Sequence, residues 1–224
     1  MKNKTKKKSP PVNLRIEPFE QYTDKYEEWF DKNHFAYLSE LEGVKSLLPM
    51  GKGIEIGVGT GRFAEPLGIE FGVDPSLSMI KAARKRKIKV IVGTGEYLPI
   101  TDNSFDFALI TTTLCFLENV EKTLKEIKRI LKKNGSIILA FIDKESYLGK
   151  IYVKKKGKNP FYKTADFYST KEVTEKLEKA GFSNPEIKQT LFPFPKKFKN
   201  TEDIKDGYGE GGFIIIRTRK SQEG

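Results

Sequence analysis

Apolar and polar residues alternate in regular blocks along the chain, and the spacing within each block predicts a helix or a strand. Residues 18–49 carry apolar side chains at roughly helical spacing, and Pro49 closes the segment, which predicts a helical N-terminal region. The aromatic positions in this region are Tyr22, Tyr26, Trp29 and Phe30. Short apolar runs bounded by glycine, proline or charged residues predict strands. These runs are 53–58, 69–73, 89–92, 105–111 and 136–142.

Helical patterns separate these strands. A short helix is expected after the glycines that follow the first strand, and Pro75-Ser76 opens another helix that reaches Lys81–Lys87. An amphipathic helix is predicted over Val120–Leu131, with Asn134-Gly135 as its left-handed C-terminal cap. Strands that are apolar on both faces and alternate with helices are typical of a parallel sheet covered on each side. We therefore predict a doubly wound, Rossmann-like α/β fold that binds its ligand at the carboxyl ends of the strands.

The last third of the chain has a different pattern. Ser169 and Glu172 form a capping box for a helix that ends near Gly181. Two strands, at about 186–192 and 212–218, follow with no helical pattern between them. An antiparallel pair here would complete a seven-stranded, mostly parallel sheet with an antiparallel C-terminal strand and helices on both faces.

A chain of 224 residues is long enough for one domain with a substantial core and too short for two. We expect a basic tail at residues 1–11 and a single domain at 12–224. Within that domain, 12–50 is the N-terminal helical segment over the ligand site and 51–142 is the ligand-binding core. Residues 143–224 add the C-terminal helix and the closing strand pair.

The formal net charge of +11 raises the question of a nucleic-acid partner. Five of these charges lie in the tail, which carries no acids and no apolar periodicity, so we expect it to be solvated and disordered. They are Lys2, Lys4, Lys6, Lys7 and Lys8. Elsewhere the lysines are mixed with glutamates along the predicted helices, as on a soluble face. A nucleic-acid partner is therefore an alternative that the charge pattern does not favour.

Cysteine usage and hydropathy limit the class of protein. The single cysteine, Cys115, excludes an internal disulfide and a cysteine-only metal site. No apolar run approaches the roughly 20 residues of a membrane helix, and no apolar stretch follows the first lysines as in a secretory signal. We expect a soluble, cytoplasmic protein without a membrane partner or a bound metal.

The strongest motif is GIEIGVGTG at residues 53–61, in which a strand runs into Gly57, Gly59 and Gly61. Glycine lets the backbone turn tightly and approach a ligand with no Cβ in the way. The dinucleotide fingerprint GxGxxG would need a glycine where Arg62 stands. An NAD-dependent oxidoreductase is therefore the least favoured reading of this turn.

Asp74 ends the second predicted strand, which brings its carboxylate to the same sheet edge as the glycine turn. There it can accept both hydroxyls of a ribose. It can also cap the helix that follows, and the two roles are compatible. The third strand ends in Gly93-Thr94-Gly95-Glu96, a turn suited to packing on an adenine face, and the fourth ends at Thr111. Four successive strand ends thus converge on one crevice.

These segments resemble the class I S-adenosylmethionine-dependent methyltransferases, in the small-molecule, type 11-like subfamily typified by the ubiquinone methyltransferases. The matching stretches, all within residues 53–142, are EIGVGTGRF, GVDPSLSMI, GTGEYLPITDNSFDFALI and TLKEIKRILKKNGSIILAF. YEEWF near the start and GYGEGGFIIIR near the end also resemble members labelled histamine-methyltransferase-like. The resemblance implies a methyltransferase with S-adenosyl-L-methionine as its cofactor.

The resemblance also implies roles for single residues. Glu55 matches the acidic position that helps to hold the amino group of the methionine moiety, and Asp74 matches the ribose-binding acid. Gly57, Val58 and Gly59 match the loop that passes under the cofactor.

The adenine side of the site shows one departure from the family. Gly95 and Glu96 match the positions that flank the adenine, and Thr111 matches a backbone contact after the fourth strand. Thr94 stands where many relatives carry an aspartate that bonds the adenine amino group. That contact must therefore use the Thr94 hydroxyl, backbone groups or Glu96.

Methyl transfer depends mainly on alignment and on exclusion of water, so the sequence assigns no catalytic residue. We expect a small-molecule acceptor, with Tyr26 and Trp29 closing over the cofactor and with Cys115 and Phe116 lining the acceptor pocket. Packing of the N-terminal aromatic residues on the sheet is an equal alternative, and Cys115 can simply be a small buried residue. His34, the one histidine, fits an ordinary, partly exposed position better than a base.

Two other functions stay open. An RNA or protein methyltransferase could use the basic tail for substrate affinity, and a non-catalytic nucleotide- or nucleic-acid-binding domain could keep the same fold. The chain lacks the Pro-Cys nucleophile of cytosine-C5 enzymes and the Asn/Asp-Pro-Pro-aromatic motif of amino-DNA enzymes. These absences argue against the nucleic-acid base chemistries.

Overall fold

The computed structural model describes residues 13–192 and 198–221. The basic tail predicted at residues 1–11 lies outside the described residues.

The described strands form one eight-stranded sheet in the order β3-β2-β1-β4-β5-β8-β6-β7. Strands β1 to β5 run parallel, whereas β8 lies antiparallel between β5 and β6. Their bounds are β1 Gly53–Ile56, β2 Phe71–Asp74, β3 Lys89–Val92, β4 Phe105–Thr111, β5 Leu131–Ile142, β6 Phe182–Thr190, β7 Lys205–Asp206 and β8 Phe213–Lys220. The mostly parallel sheet with an antiparallel C-terminal strand is confirmed. The two-residue strand β7 adds an eighth strand to the seven predicted.

Seven α-helices are described, and they cover both faces of the sheet. Their bounds are α1 Glu17–Gln21, α2 Thr23–Lys32, α3 His34–Lys45, α4 Leu77–Lys85, α5 Val120–Ile130, α6 Tyr147–Lys155 and α7 Thr170–Lys179. Apolar residues of α5 and α7, such as Leu124 and Leu177, build the core on one face. Residues of α2, α3 and α4, such as Phe30, Val44 and Ile80, build the core on the other. The α/β layer architecture is thereby confirmed.

The N-terminal helical region is divided into three helices, α1 to α3, where one continuous pattern was expected. The breaks fall at Tyr22 and Asn33, which leave the helical conformation. At the second break the Asn33 side-chain amide donates to the Trp29 carbonyl, and this side-chain bond competes with continuation of the helix.

Two local predictions are wrong, and one helix was missed. Residues 62–68 form turns rather than a short helix. Asn134-Gly135 does not cap α5, because that helix already ends at Ile130 and Leu131 pairs with Phe105 in the sheet. Asn134 is left-handed, with φ 66°, but it lies inside β5. Helix α6 was not predicted at all, although Ser146 caps it by accepting a hydrogen bond from the Gly149 N–H at 2.9 Å.

Candidate functional site

The turn after β1 brings the backbone to the carboxyl edge of the sheet. Gly57 and Gly59 have positive φ angles of 74° and 53°, which glycine adopts without steric cost. A Cβ on Gly57 would lie 2.2 Å from Cγ2 of Thr113 on the neighbouring loop. The N–H groups of Gly57 and Val58 both donate to the Val73 carbonyl, at 2.7 and 3.0 Å. The turn is therefore tied to β2 and fits closely against the loop after β4.

Asp74 connects β2 to this turn. Its Oδ2 accepts a hydrogen bond from the Gly59 N–H and its Oδ1 accepts one from the Ser76 N–H, both at 2.8 Å. Burial raises the pKa of Asp74 to about 6, although these two hydrogen bonds favour the ionised form. Ser76, not Asp74, is the N-cap of α4, since its Oγ accepts from the Met79 N–H. The alternative in which Asp74 caps this helix is therefore wrong.

Glu55 lies in the middle of the sheet with 2% of its surface exposed. Its Oε2 has no hydrogen-bond partner among the described residues. Burial raises the pKa of Glu55 well above its ordinary value, and the negative charge of Asp74 adds to the effect. Glu55 is not among the residues that line the cavity beside the glycine turn, so its role toward the methionine amino group stays a prediction.

The cavity beside the glycine turn, called the main cavity below, has a volume of about 630 Å³ and lies between that turn, the N-terminal helices and residues 151–162. A neighbouring cavity is larger, at about 950 Å³. Gly57, Gly59 and Asp74 line one side of it. Aromatic rings form much of the remaining wall, and they are Phe19, Tyr26, Trp29, Phe116, Phe161 and Tyr162. Ring contacts join the elements, with Phe116 stacked on Tyr162 at 5.9 Å and Phe19 packed edge-on against Phe116 at 5.0 Å. The cavity thus has a backbone and carboxylate side and an aromatic side.

Tyr26, Trp29 and Phe116 lie on this cavity as the sequence predicts, but Cys115 lies elsewhere. A short 3-10 helix at Leu114–Phe116 turns Phe116 toward the main cavity. Cys115 lines a separate cavity of about 30 Å³, and burial raises the pKa of its thiol to about 12. A thiol in that state is a poor nucleophile.

The residues expected around the adenine, Thr94, Gly95 and Glu96, are not among those that line the cavity. Oε1 of Glu96 accepts hydrogen bonds from the N–H groups of Glu118 and Asn119, at 2.9 and 3.2 Å. Thr94 forms a single β-bridge with Tyr97, and Gly95 packs so closely on Thr123 that a Cβ would meet it at 2.8 Å. These residues hold the loop before α5 in place.

In the loop after β4, the threonines that line the cavity are not the one that the sequence predicts. Thr111 is buried, its Oγ1 has no partner among the described residues, and Thr112 and Thr113 line the cavity instead. Sequence reasoning also missed the wall formed by Tyr152, Phe161 and Tyr162. The signal for it was present as aromatic residues within the lysine-rich stretch 152–163. His34 lines a neighbouring cavity rather than this one.

The N-terminal helices are fastened over the site by ion pairs and hydrogen bonds. Glu27 on α2 pairs with Arg62, at 2.8 Å, and with Arg86, at 2.9 Å. Burial opposes ionisation of Glu27, but the two arginines outweigh it and lower its pKa. Glu20 on α1 accepts hydrogen bonds from the N–H groups of Leu77 and Ser78. Arg62, which breaks the dinucleotide fingerprint, therefore serves to hold α2 against the glycine turn.

Sheet order, glycine turn and strand-end carboxylate together define the class of this protein. The chain matches the methyltransferase-domain family over residues 54–139 and belongs to that family. An uncharacterised protein of Methanocaldococcus jannaschii is 51% identical to it over 90% of this chain and 98% of its own length.

Two further relatives have descriptions of what they do. A solved structure from Thermotoga maritima, described as a SAM-dependent methyltransferase and possible histamine N-methyltransferase, is 52% identical. It superposes with a TM-score of 0.90 over 92% of this chain and 100% of its own. A demethylmenaquinone methyltransferase of Corynebacterium kroppenstedtii is 36% identical over 81 residues, which are 36% of this chain and 35% of that protein.

Among residues 13–192 and 198–221, no helix combines the length and apolar character needed to cross a membrane. The same residues contain no group of three or more His, Cys, Asp or Glu side chains placed to hold a metal ion.

Proposed function

We propose that the protein binds S-adenosyl-L-methionine along the glycine turn and methylates a small-molecule acceptor held in the aromatic part of the same cavity. One observation carries this proposal. The carboxylate of Asp74 and the backbone of Gly57 and Gly59 line a single cavity whose opposite wall is aromatic. Family membership and the likeness to a SAM-dependent methyltransferase support it.

The residues present fit this cofactor. The positive-φ glycines leave room for a ligand where a side chain would stand. Asp74 uses one lone pair on each oxygen for a backbone amide and retains others for ribose hydroxyls. Glu96 already accepts from two backbone amides, and neither it nor Thr94 lines the cavity, so we assign no adenine contact to these two side chains. When bound, the sulfonium supplies an activated methyl group.

The chain itself supplies position and a dry environment. Phe19 packs on both Phe116 and Phe161, with ring centroids 5.0 and 5.3 Å apart, and the three rings form an apolar wall. The fastened helices α1 and α2 cover the site, so water is excluded from the methyl and the acceptor. Holding two reactants in line can lower a barrier by roughly 7–11 kcal/mol, and no acid–base triad is required.

The size of the cavity favours a small acceptor. About 630 Å³ lies within the range of small-molecule sites, roughly 300–1,000 Å³. An RNA or protein acceptor is the second candidate, favoured only by the net charge of +11.

Calorimetry with S-adenosylmethionine, its demethylated product and NAD tests the cofactor assignment. We expect micromolar binding of both sulfur nucleosides, about −8 kcal/mol, and none of NAD. A methyl-transfer screen with labelled cofactor, run on pooled metabolites and on RNA, then tests the acceptor class. Binding of NAD alone would overturn the cofactor assignment, and label in RNA alone would overturn the small-molecule acceptor.

A further inference from the structure

The loop after β4 contains a backbone outlier at Thr112, on the wall of the main cavity. Six non-glycine residues among those described have a positive φ, and Thr112, with φ 52°, is the β-branched one. A β-branched residue in the left-handed region is strained, whereas asparagine or glycine adopts that region at lower cost. Three of the six are asparagines. Of the six, Thr112 alone lines the main cavity.

Neighbouring segments hold the Thr112 backbone in this conformation. Its N–H donates to the Ala140 carbonyl on β5 at 2.8 Å, and the Cys115 thiol donates to its carbonyl at 3.7 Å. Strain of this kind persists only where the surrounding structure imposes it, and it is concentrated at functional sites. Glycine would form the same turn without strain, so the turn does not account for the threonine side chain.

The three consecutive threonines of this loop use their hydroxyls differently. Thr111 is buried, and the Thr113 hydroxyl donates to the Gly57 carbonyl at 3.1 Å. The Thr112 side chain is half-buried, and its hydroxyl forms no hydrogen bond within the described part of the chain. A hydroxyl can donate one hydrogen bond and accept two, so the Thr112 hydroxyl is fully available to a ligand.

Thr112 lies where the two sides of the main cavity meet. The next residue, Thr113, contacts the glycine turn through Gly57. Phe116, four residues further on, belongs to the aromatic side and stacks on Tyr162, and Tyr162 and Thr112 together line a smaller cavity. Under the proposed function the cofactor lies along the glycine turn and the acceptor among the rings, so the two reactants meet beside Thr112.

We propose that the Thr112 hydroxyl contacts the reacting atom of the methyl acceptor, and that the strained backbone serves to present the hydroxyl there. This inference rests on the proposed function, because it assigns a residue to the acceptor side of the same reaction. The hydroxyl accepts a hydrogen bond from the nitrogen, oxygen or sulfur atom that is to be methylated. That bond fixes the direction of the lone pair on the reacting atom, which is the alignment that an in-line transfer needs. Thr112 takes no proton from the acceptor.

Two substitutions separate the hydroxyl from the strain. Thr112→Val keeps the β-branched shape and the strained backbone but removes the hydroxyl, whereas Thr112→Ser keeps the hydroxyl. Methyl transfer from labelled S-adenosylmethionine to pooled metabolites should fall about tenfold in Thr112→Val and stay within about threefold of the wild type in Thr112→Ser. In calorimetry both variants should bind the demethylated cofactor product as the wild type does. Thr174→Val is the matched control, because it makes the same chemical change on α7, outside the cavity lining.

Thr112→Gly tests the strain itself. Glycine relieves the left-handed backbone, so the melting temperature should rise by about 2–4 °C, while methyl transfer should fall as in Thr112→Val. A variant that is more stable and less active is expected where strain is kept for function. Lys87→Gly is the backbone control, because Lys87 is exposed in the turn before β3 with φ 63°. It should raise the melting temperature and leave methyl transfer unchanged.

The measurements distinguish this proposal from its alternatives. Wild-type methyl transfer in Thr112→Val, or an equal loss in Thr112→Ser, would overturn the role of the hydroxyl. Weaker product binding in Thr112→Val would place the hydroxyl on the cofactor and also overturn the proposal. A lower melting temperature in Thr112→Gly would overturn the claim that the loop is strained. A wild type that binds no product, or transfers no label to metabolites, would instead count against the proposed function itself.

Discussion

The backbone N–H of Gly59 donates to Oδ2 of Asp74 across 2.8 Å, so the residue at the end of β2 holds the glycine turn in position. The same carboxylate accepts from Ser76 at the start of α4. Three segments of the site, the turn, the strand end and the helix start, are therefore fixed by one side chain. A change at Asp74 alters both the ligand surface and its support.

For Asp74→Asn we expect a loss of cofactor affinity together with a lower melting temperature. An amide has one acceptor oxygen in place of two, so it cannot serve Gly59, Ser76 and a ribose together. Hydrogen bonds to charged groups contribute about 1.5–3 kcal/mol, which predicts a roughly 10- to 150-fold rise in Kd for the demethylated product. Ser76→Ala is the control, because it removes the cap of α4 at a cost of about 1 kcal/mol and keeps the carboxylate. Equal affinities for both variants and the wild type would show that Asp74 does not contact the cofactor.

Gly57→Ala should abolish cofactor binding and destabilise the fold. The new methyl group would lie 2.2 Å from Thr113 Cγ2 in a residue with φ 74°, so both the loop after β4 and the turn must shift. Gly68→Ala measures the cost of a positive φ without a steric clash, because Gly68 has φ 70° and nothing lies within 4 Å of the added Cβ. That control should cost about 1–2 kcal/mol and leave the Kd unchanged. If Gly57→Ala behaves like Gly68→Ala in melting and binding measurements, the close fit against Thr113 is unimportant.

Glu27→Gln should loosen the helices over the cavity. It removes the charge that pairs with Arg62 and Arg86, at a cost of about 1–3 kcal/mol for partly buried, charge-assisted bonds. Stopped-flow measurement should show faster release of the bound product, because the cover opens more readily. Glu28→Gln changes an exposed pair with Lys32 on the same helix and should have almost no effect. Unchanged release in Glu27→Gln would show that this pairing does not control opening.

The melting temperature of the ligand-free protein should fall as the pH rises from about 5 to 8. Burial raises the pKa of Glu40 from 4.5 to about 8, so between these values the folded state holds a proton that the unfolded state has lost. Stability is therefore greatest below the lower pKa and is lost as the pH approaches the higher one, by a few kcal/mol in all. Glu40→Gln, which cannot ionise, should show a shallower decline in thermal melts. Parallel curves for the two proteins would mean that Glu40 ionises as readily in the folded state as in the unfolded one.

Local signals in the sequence predicted the regular elements well. The third and fourth strands fall at residues 89–92 and 105–111 in both the prediction and the structure, because polar residues bound each apolar run. The capping box is confirmed by both of its hydrogen bonds, from the Glu172 N–H to Ser169 Oγ and from the Ser169 N–H to Glu172 Oε2. These features depend only on neighbours a few residues apart.

Features set by distant contacts could not be predicted in this way. Leu131 leaves the helical pattern because it pairs with Phe105, which lies earlier in the chain. Glu40 and Glu42 are two glutamates on the same helix, two residues apart. Only the packing of α3 determines that Glu40 is buried and Glu42 is exposed. The glycine turn and Asp74 lie together as expected from strand order. Their assigned roles toward a cofactor remain predictions.

The position of β8 has a consequence for synthesis on the ribosome. Strand β8, at Phe213–Lys220, lies between β5 and β6 and is made after both of them. Until it emerges, the backbone donors and acceptors along Ser136–Ile142, which later pair with β8, have no partner strand on that side. An apolar edge of this kind is a template for pairing with other chains. Until residue 220 has left the ribosomal tunnel, the edge of β5 is therefore open to pairing with a strand of another chain.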